Sequence, residues 1–258
     1  MRPVKLVIWR HGQTDWNIQE RFQGHTDIPL NKTGEFQVRH AAQKLVALKP
    51  TQIISSDLTR AKQTAAALSE LTQIPVRHFP ELRETNGGHW EGNRDSQTRE
   101  SDRVNWVRWI AGEDIPAGDV GESRSMVGAR VKSFLDTMVA RLEEQDTYEE
   151  AVLVVVTHGG AARAIIGTAL ELPVASWQIY GGLSNACWSI LQRRHLPRAF
   201  SDSHFVKEVE KARAQEAATG KKVQEPPIHS SRWSLIEHNA GSIPEPVFSD
   251  ESNDENNR

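Results

Sequence analysis

A single cysteine, Cys187, is all that this 258-residue sequence contains, so no disulfide can form within the chain and stability must come from the packed core. Cys187 lies in the apolar stretch Ala186–Leu191 and reads as a buried strand residue rather than a reactive thiol. Long hydrophobic runs are also missing. The longest strongly apolar stretch is Ala151–Val156, against the roughly 20 residues that a spanning helix needs. The start of the chain, Met1–Trp9, carries Arg2 and Lys5 and lacks the h-region and small-residue cleavage site of a signal peptide, so the sequence reads as cytoplasmic. Neither sign of charge dominates: 31 basic against 34 acidic residues leave a formal net charge of −3. No basic patch suited to a nucleic-acid backbone stands out. Nucleic acid and membrane are thereby set aside as partners, and a small molecule is expected instead.

Hydrophobic residues at 38% and charged residues at 25% fit a globular chain long enough for one large α/β domain. Val4–Trp9 reads as a buried strand. Asn31 looks like an N-cap for a helix carrying Val38, Ala41, Ala42, Leu45 and Leu48. Gln52–Ile54 and Val76–Phe79 read as strands. Between them, Ser56 or Asp57 is expected to cap a helix with Ala61, Ala65 and Leu68. From about Glu81 to Gly121 the sequence is rich in Trp, Arg, Gly and Asp, which suggests loops and short helices over a site. A helix near Ser125–Glu144 leads into Val152–Val156, the clearest buried strand. A helix over Ala161–Leu170 and a strand over Ala186–Gln192 follow. This alternation implies an α/β fold in three layers, a mostly parallel central sheet with helices on both faces. Val206–Thr219 reads as an exposed charged helix and Arg232–Glu237 as a last edge strand. One domain is expected over 1–240, with 201–228 as an insertion and 243–258 as a disordered acidic tail.

The chemistry sits at the strand ends. The first strand ends in Arg10-His11-Gly12 and the later one in Thr157-His158-Gly159. Ligands of open α/β sheets bind beyond the carboxyl ends of strands, so both imidazoles can meet in one crevice. The glycines are expected to let backbone approach a ligand. Taken alone, a histidine at a strand end is more often structural than catalytic. Arg10 and Arg60 add guanidinium forks that match phosphate oxygens, and they would also keep a nearby imidazole neutral, as a nucleophile must be. Glu84 is the candidate proton donor for a leaving alkoxide, although spacing alone favours a salt-bridged surface glutamate. Ten histidines are present, yet no His-x-x-x-His, His-x-His or Cys-x-x-Cys spacing occurs, and no Gly-x-x-x-x-Gly-Lys-Ser/Thr loop. No metal and no cofactor is therefore expected.

The run Leu6-Val7-Ile8-Trp9-Arg10-His11-Gly12-Gln13-Thr14-Asp15-Trp16-Asn17 resembles the amino-terminal signature of the histidine phosphatase (phosphoglycerate mutase-like) superfamily, branch 1. Further matches follow in the family's order over about 190 residues: Phe22-Gln23-Gly24, Ser55-Ser56-Asp57-Leu58-Thr59-Arg60-Ala61, Leu82-Arg83-Glu84, Trp90-Glu91-Gly92, Gly121-Glu122-Ser123 and Thr157-His158-Gly159-Gly160. The resemblance implies a phosphoglycerate mutase-like fold and a metal-independent phosphomonoesterase in which His11 is phosphorylated. It implies that Arg10, Arg60 and His158 hold the phosphoryl group and that Glu84 donates the proton. Asn17, Gln23, Gly24 and Gly159 would line the phosphate pocket, and a homodimer is among the partners it suggests. The segments around Glu84, Gly121–Arg124, Leu172–Trp177 and Arg232–Leu235 are similar to glucosyl-3-phosphoglycerate phosphatases. Three departures stand out: Gly87 where a bulky residue is usual, Trp9 before Arg10, and the 201–228 stretch. A mutase and a non-catalytic phospho-ligand module are the competing readings. The substrate-selecting walls are expected between Glu81 and Gly121.

Overall fold

The computed structural model describes residues 3–145, 149–197, 203–220 and 229–241. In chain order the strands are β1 (Val4–Arg10), β2 (Gln52–Ser56), β3 (Val76–Phe79), β4 (Ala151–Thr157), β5 (Trp188–Pro197) and β6 (His229–Ala240). The helices are α1 (Asp15–Ile18), α2 (Lys32–Leu45), α3 (Thr59–Thr72), α4 (Asp95–Ser101), α5 (Arg103–Ile110), α6 (Arg124–Glu143), α7 (Gly159–Ala169) and α8 (Ser203–Thr219).

The six strands form one sheet in the order β3-β2-β4-β1-β5-β6. The first four run parallel, and β5 joins β1 antiparallel. β4 is buried at all seven positions, because both of its faces are covered, as the continuous Val-rich run requires. Val7, Trp9, Ile53, Val152, Val154 and Val156 meet Val38, Ala41, Ala42 and Leu45 of α2 and Ala61, Ala65 and Leu68 of α3 in one core. The alternate residues Leu6, Ile8, Leu153 and Val155 are equally buried and face the opposite side, where α6 and α7 pack on the sheet. The three layers expected from the alternation are therefore present.

Several local expectations change. Asn31 does cap α2, accepting from Gly34 N at 2.8 Å. Neither Ser56 nor Asp57 caps α3. Its N-cap residue is Leu58, and the carboxylate of Asp27 takes Thr59 N at 2.7 Å and Thr59 Oγ1 at 2.8 Å. Asp57 instead forms a two-pronged ion pair with Arg83, at 2.6 and 2.7 Å. The strand expected from Ala186 begins at Trp188, since Ala186 adopts a left-handed backbone (φ 58°) in a turn that accepts Trp9 Nε1 at 2.9 Å. Cys187, in that turn, is buried. Trp9 thus fits because it both fills the α2–α3 core and fixes this turn. Gly87 is small because a Cβ there would lie 2.5 Å from the ring of Phe22.

The described residues group into two compact units, one running to Gln192 and resuming at Leu235, the other spanning Arg193–Ser234. The smaller unit carries α8, whose described side chains are mostly exposed, and places the Arg193 guanidinium 5.4 Å from the Trp233 ring centroid. The expected insertion lies partly, and the expected acidic tail wholly, outside the described residues.

Candidate active site

Adjacent parallel pairing of β1 and β4 sets Arg10 opposite Thr157, so the residues that follow, His11 and His158, emerge side by side. Their ring centroids are 5.2 Å apart. His11 Nδ1 lies 2.7 Å from Gly12 O. A carbonyl can only accept, so Nδ1 carries the hydrogen and Nε2 keeps its lone pair. That tautomer is the one a nucleophilic imidazole needs.

Arg60, fully buried in the first turn of α3, holds the pair together. Its Nε donates to His158 Nδ1 at 3.1 Å, and its terminal nitrogens donate to Thr26 O at 2.9 Å and Gly24 O at 2.8 Å. His158 Nδ1 is therefore an acceptor and its hydrogen sits on Nε2, which is buried without a partner. Arg10 donates to Leu183 O, while its Nε is also buried and unpaired, as is Gln23 Oε1. Buried polar atoms are usually satisfied, and here three that are not, Arg10 Nε, Gln23 Oε1 and His158 Nε2, belong to residues of this site.

Burial, then the charges of Arg60 and Arg10, push His11 well below the usual histidine range. Burial, Arg60, His11 and Arg10 do the same to His158. Burial also lowers Arg60, to about 10, which leaves it charged at neutral pH. The constellation is thus two neutral imidazoles between fixed cations, suited to receive a phosphoryl group.

Glu84 lies across from His11, on the same cavity. Its carboxylate accepts from Thr85 N at 2.8 Å, and from Gly160 N and Ala161 N, both at 3.0 Å, in the first turn of α7. Behind it, Arg130 donates to the carbonyls of Glu81, Arg83 and Glu84 and pairs with Glu122. Glu91 organises the loop that serves Arg60, taking His25 N, Thr26 N, Thr26 Oγ1 and Gly87 N. Gly24 there has φ 51°, and a Cβ would strike Glu91 Oε1 at 2.0 Å.

The cavity is about 260 Å³, room for a small metabolite. Arg10, His11, Asn17, Gln23, Gly24, Arg60 and Glu84, all expected from the sequence, line it. His158 is not among the lining residues, although its ring lies 5.2 Å from that of His11. Gly159 does not line the cavity; it packs beside Arg10, and its neighbour Gly160 faces the space, where a Cβ would lie 2.5 Å from Glu84 Oε1. Gly12 makes room for α2: its missing Cβ would fall 2.6 Å from Gly34 O.

Several residues at the site were given no role from the sequence. Asn185 Nδ2 lies within hydrogen-bond reach of His11 O, Gly12 O and Asn17 Oδ1, so it ties the His11 loop to Asn17. Arg124, Val127, Arg163, Ala164 and Trp177 line the far end. The cavity walls therefore come from α6, α7 and the turn after it as much as from 81–121, where Glu84, Thr85 and Trp109 contribute. No spacing pattern marks these residues, because they converge from separate elements. Among the described residues no group of three or more His, Cys, Asp or Glu is arranged to hold a metal ion, and no helix is long and apolar enough to cross a membrane.

Comparison with known proteins adds the following. The family model described as histidine phosphatase superfamily (branch 1) matches residues 6–200. Glucosyl-3-phosphoglycerate phosphatase of Mycobacterium tuberculosis is 39% identical over 200 residues, covering 76% of this chain and 89% of that one. Probable phosphoglycerate mutase GpmB of Photorhabdus laumondii is 32% identical over 66% of this chain and 76% of its own length. The solved structure of mycobacterial glucosyl-3-phosphoglycerate phosphatase in complex with VO3 superposes with a TM-score of 0.73 at 33% identity, covering 92% of this chain and 99% of that one.

Proposed function

The chain belongs to branch 1 of the histidine phosphatase superfamily, and from that premise we propose that it hydrolyses a small phosphomonoester, glucosyl-3-phosphoglycerate or a related sugar or glycerate phosphate, through a phosphohistidine on His11. The observation that carries this reading is the neutral His11, with Nε2 free, set among Arg10, Arg60 and the unpaired Nε2–H of His158.

In the proposed cycle His11 Nε2 attacks phosphorus, forming a P–N bond as the ester P–O bond breaks. Arg10, Arg60 and His158 balance the charge on the three non-bridging oxygens. The leaving alkoxide takes a proton from the Glu84 carboxyl group. Glu84 then takes a proton from water as that water attacks phosphorus, releasing inorganic phosphate and restoring His11. Asn17, Gln23 and Gly24 shape the pocket around the phosphoryl group, and Gly159 sits beside the Arg10 side chain at the start of α7.

The relatives named as mutases favour a second reading, in which the phosphoryl group returns to another hydroxyl. Here His158 is followed by Gly159-Gly160-Ala161, and the Arg-Arg-Ser-Tyr-type segment of cofactor-dependent mutases does not occur, which supports hydrolysis. Phosphate release in the presence of chelator decides between them, with 3-phosphoglycerate, glucosyl-3-phosphoglycerate and an aryl phosphate as substrates. Release by the wild type that vanishes in His11→Ala is the expected result. Isomerised 3-phosphoglycerate without free phosphate points to the mutase.

A further inference from the structure

The far end of the cavity holds a pair of cations that phosphoryl transfer does not use. Gly160, Arg163 and Ala164 all face the cavity, as positions i, i+3 and i+4 of one helix do. Helical rise sets Arg163 about 4.5 Å farther along α7 than Gly160. Arg163 Nε is buried without a hydrogen-bond partner, and among the described residues its guanidinium joins no ion pair.

Facing it is Arg124, at the start of α6. Its two terminal nitrogens donate to Glu113 O at 3.0 Å and Trp109 O at 2.6 Å, and its guanidinium carbon lies 3.9 Å from the Trp109 ring centroid. Burial, then the neighbouring charge of Arg163, bring Arg124 down to about 10, so it remains a cation at neutral pH. Asp114 attracts Arg124 from the protein side, but its carboxylate is engaged by Ser125 N at 2.9 Å. Two half-desolvated cations side by side repel one another, and an anion between them relieves the cost. Arg124 is tied to carbonyls and ring, so Arg163 alone offers a free planar fork, which matches the two oxygens of one carboxylate.

We propose that Arg163, backed by the fixed charge of Arg124, is a subsite for a carboxylate that the substrate carries apart from its phosphate. This rests on the phosphomonoesterase reading of the same cavity and narrows it: the preferred substrates are phosphate esters of hydroxy acids, not of plain alcohols or uncharged sugars. Trp109 and Trp177 supply apolar walls beside that anion.

The test compares phosphate release from 3-phosphoglycerate and from glycerol 3-phosphate, which has a hydroxymethyl group in place of the carboxylate. The wild type is expected to favour 3-phosphoglycerate about 10-fold or more in kcat/KM. Arg163→Gln lowers kcat/KM on 3-phosphoglycerate about 10- to 100-fold, mainly through KM, and leaves glycerol 3-phosphate unchanged. That retained rate also shows that the variant is folded. Arg163→Lys, which keeps the charge but not the fork, falls in between. A measurement needing no variant is inhibition of aryl phosphate hydrolysis, where 3-phosphoglycerate should bind more tightly than glycerol 3-phosphate. Equal loss on both substrates in Arg163→Gln, or no loss on either, overturns the subsite. Wild-type turnover of aryl phosphate without any preference for the carboxylate overturns it alone, whereas no turnover of any ester removes the phosphatase reading with it.

Discussion

Arg60 shows how much one side chain can decide. Three of its N–H groups bridge the Gly24–Thr26 loop to His158, and its charge is the second cause, after burial, of the depressed proton affinity of His11. Replacing it with glutamine removes that charge while keeping an amide. The acid limb of kcat/KM should then move to higher pH than in the wild type, and kcat/KM should fall about 10²–10⁴-fold. A pH–rate profile of both proteins checks this. The same depressed imidazoles bear on stability. His11 and His158 stay neutral when folded but protonate near pH ~6.5 when unfolded. Below that value the unfolded chain therefore binds more protons, so their contribution is complete above it and is lost as pH falls. Urea midpoints measured from pH 7.5 down to 5 should drop, and His158→Asn should flatten that drop.

At the scale of elements, α3 exists where it does because Asp27, thirty-two residues before Thr59, caps it. Asp27→Ala should cost about 1 kcal/mol and weaken activity, because the capped turn carries Arg60. Ser56→Ala should cost less, since Ser56 Oγ reaches only Leu58 N, at 3.3 Å. Denaturation midpoints of the two variants, compared side by side, measure the difference. The packing of α6 against α7 depends on the slot for Trp177. A Cβ on Gly167 would lie 2.3 Å from its indole nitrogen, and one on Gly128 2.7 Å from its ring. Gly167→Ala should thus destabilise by about 1–3 kcal/mol. Because Trp177 lines the cavity, the same variant should raise KM.

For the whole molecule, the site is a property of the sheet order. Only the insertion of β4 beside β1, with β2 on its other edge, brings Arg10 and His11, Arg60, and His158 to one rim. Glu84 reaches that rim through α7, whose first amides hold its carboxylate. Inorganic phosphate, binding only the assembled rim, should raise the unfolding free energy of the wild type by about 2.7 kcal/mol at 100 times its Kd, read as a higher unfolding midpoint. Arg60→Gln should show little or no shift in the same titration. A shift as large in the variant would place phosphate somewhere other than this rim.

The sequence alone determined the layers and the reactive groups. Period and run length in Val4–Trp9 and Val152–Val156 specify buried parallel strands, and the spacing behind Asn31 specifies α2. The order of the Arg-His-Gly, Thr-Arg-Ala, Arg-Glu and Thr-His-Gly segments identified Arg10, His11, Arg60, Glu84 and His158. Local chemistry is written in residue type, and so it can be read in a line. Tertiary structure decided what depends on convergence: that Asp27 rather than Ser56 caps α3, that Gly12 makes room for α2, and that Asn185 fastens the His11 loop. It also decided that Arg124 and Arg163 face each other. Each of these is a contact between segments far apart in sequence, and a sequence holds no distances across its own folds.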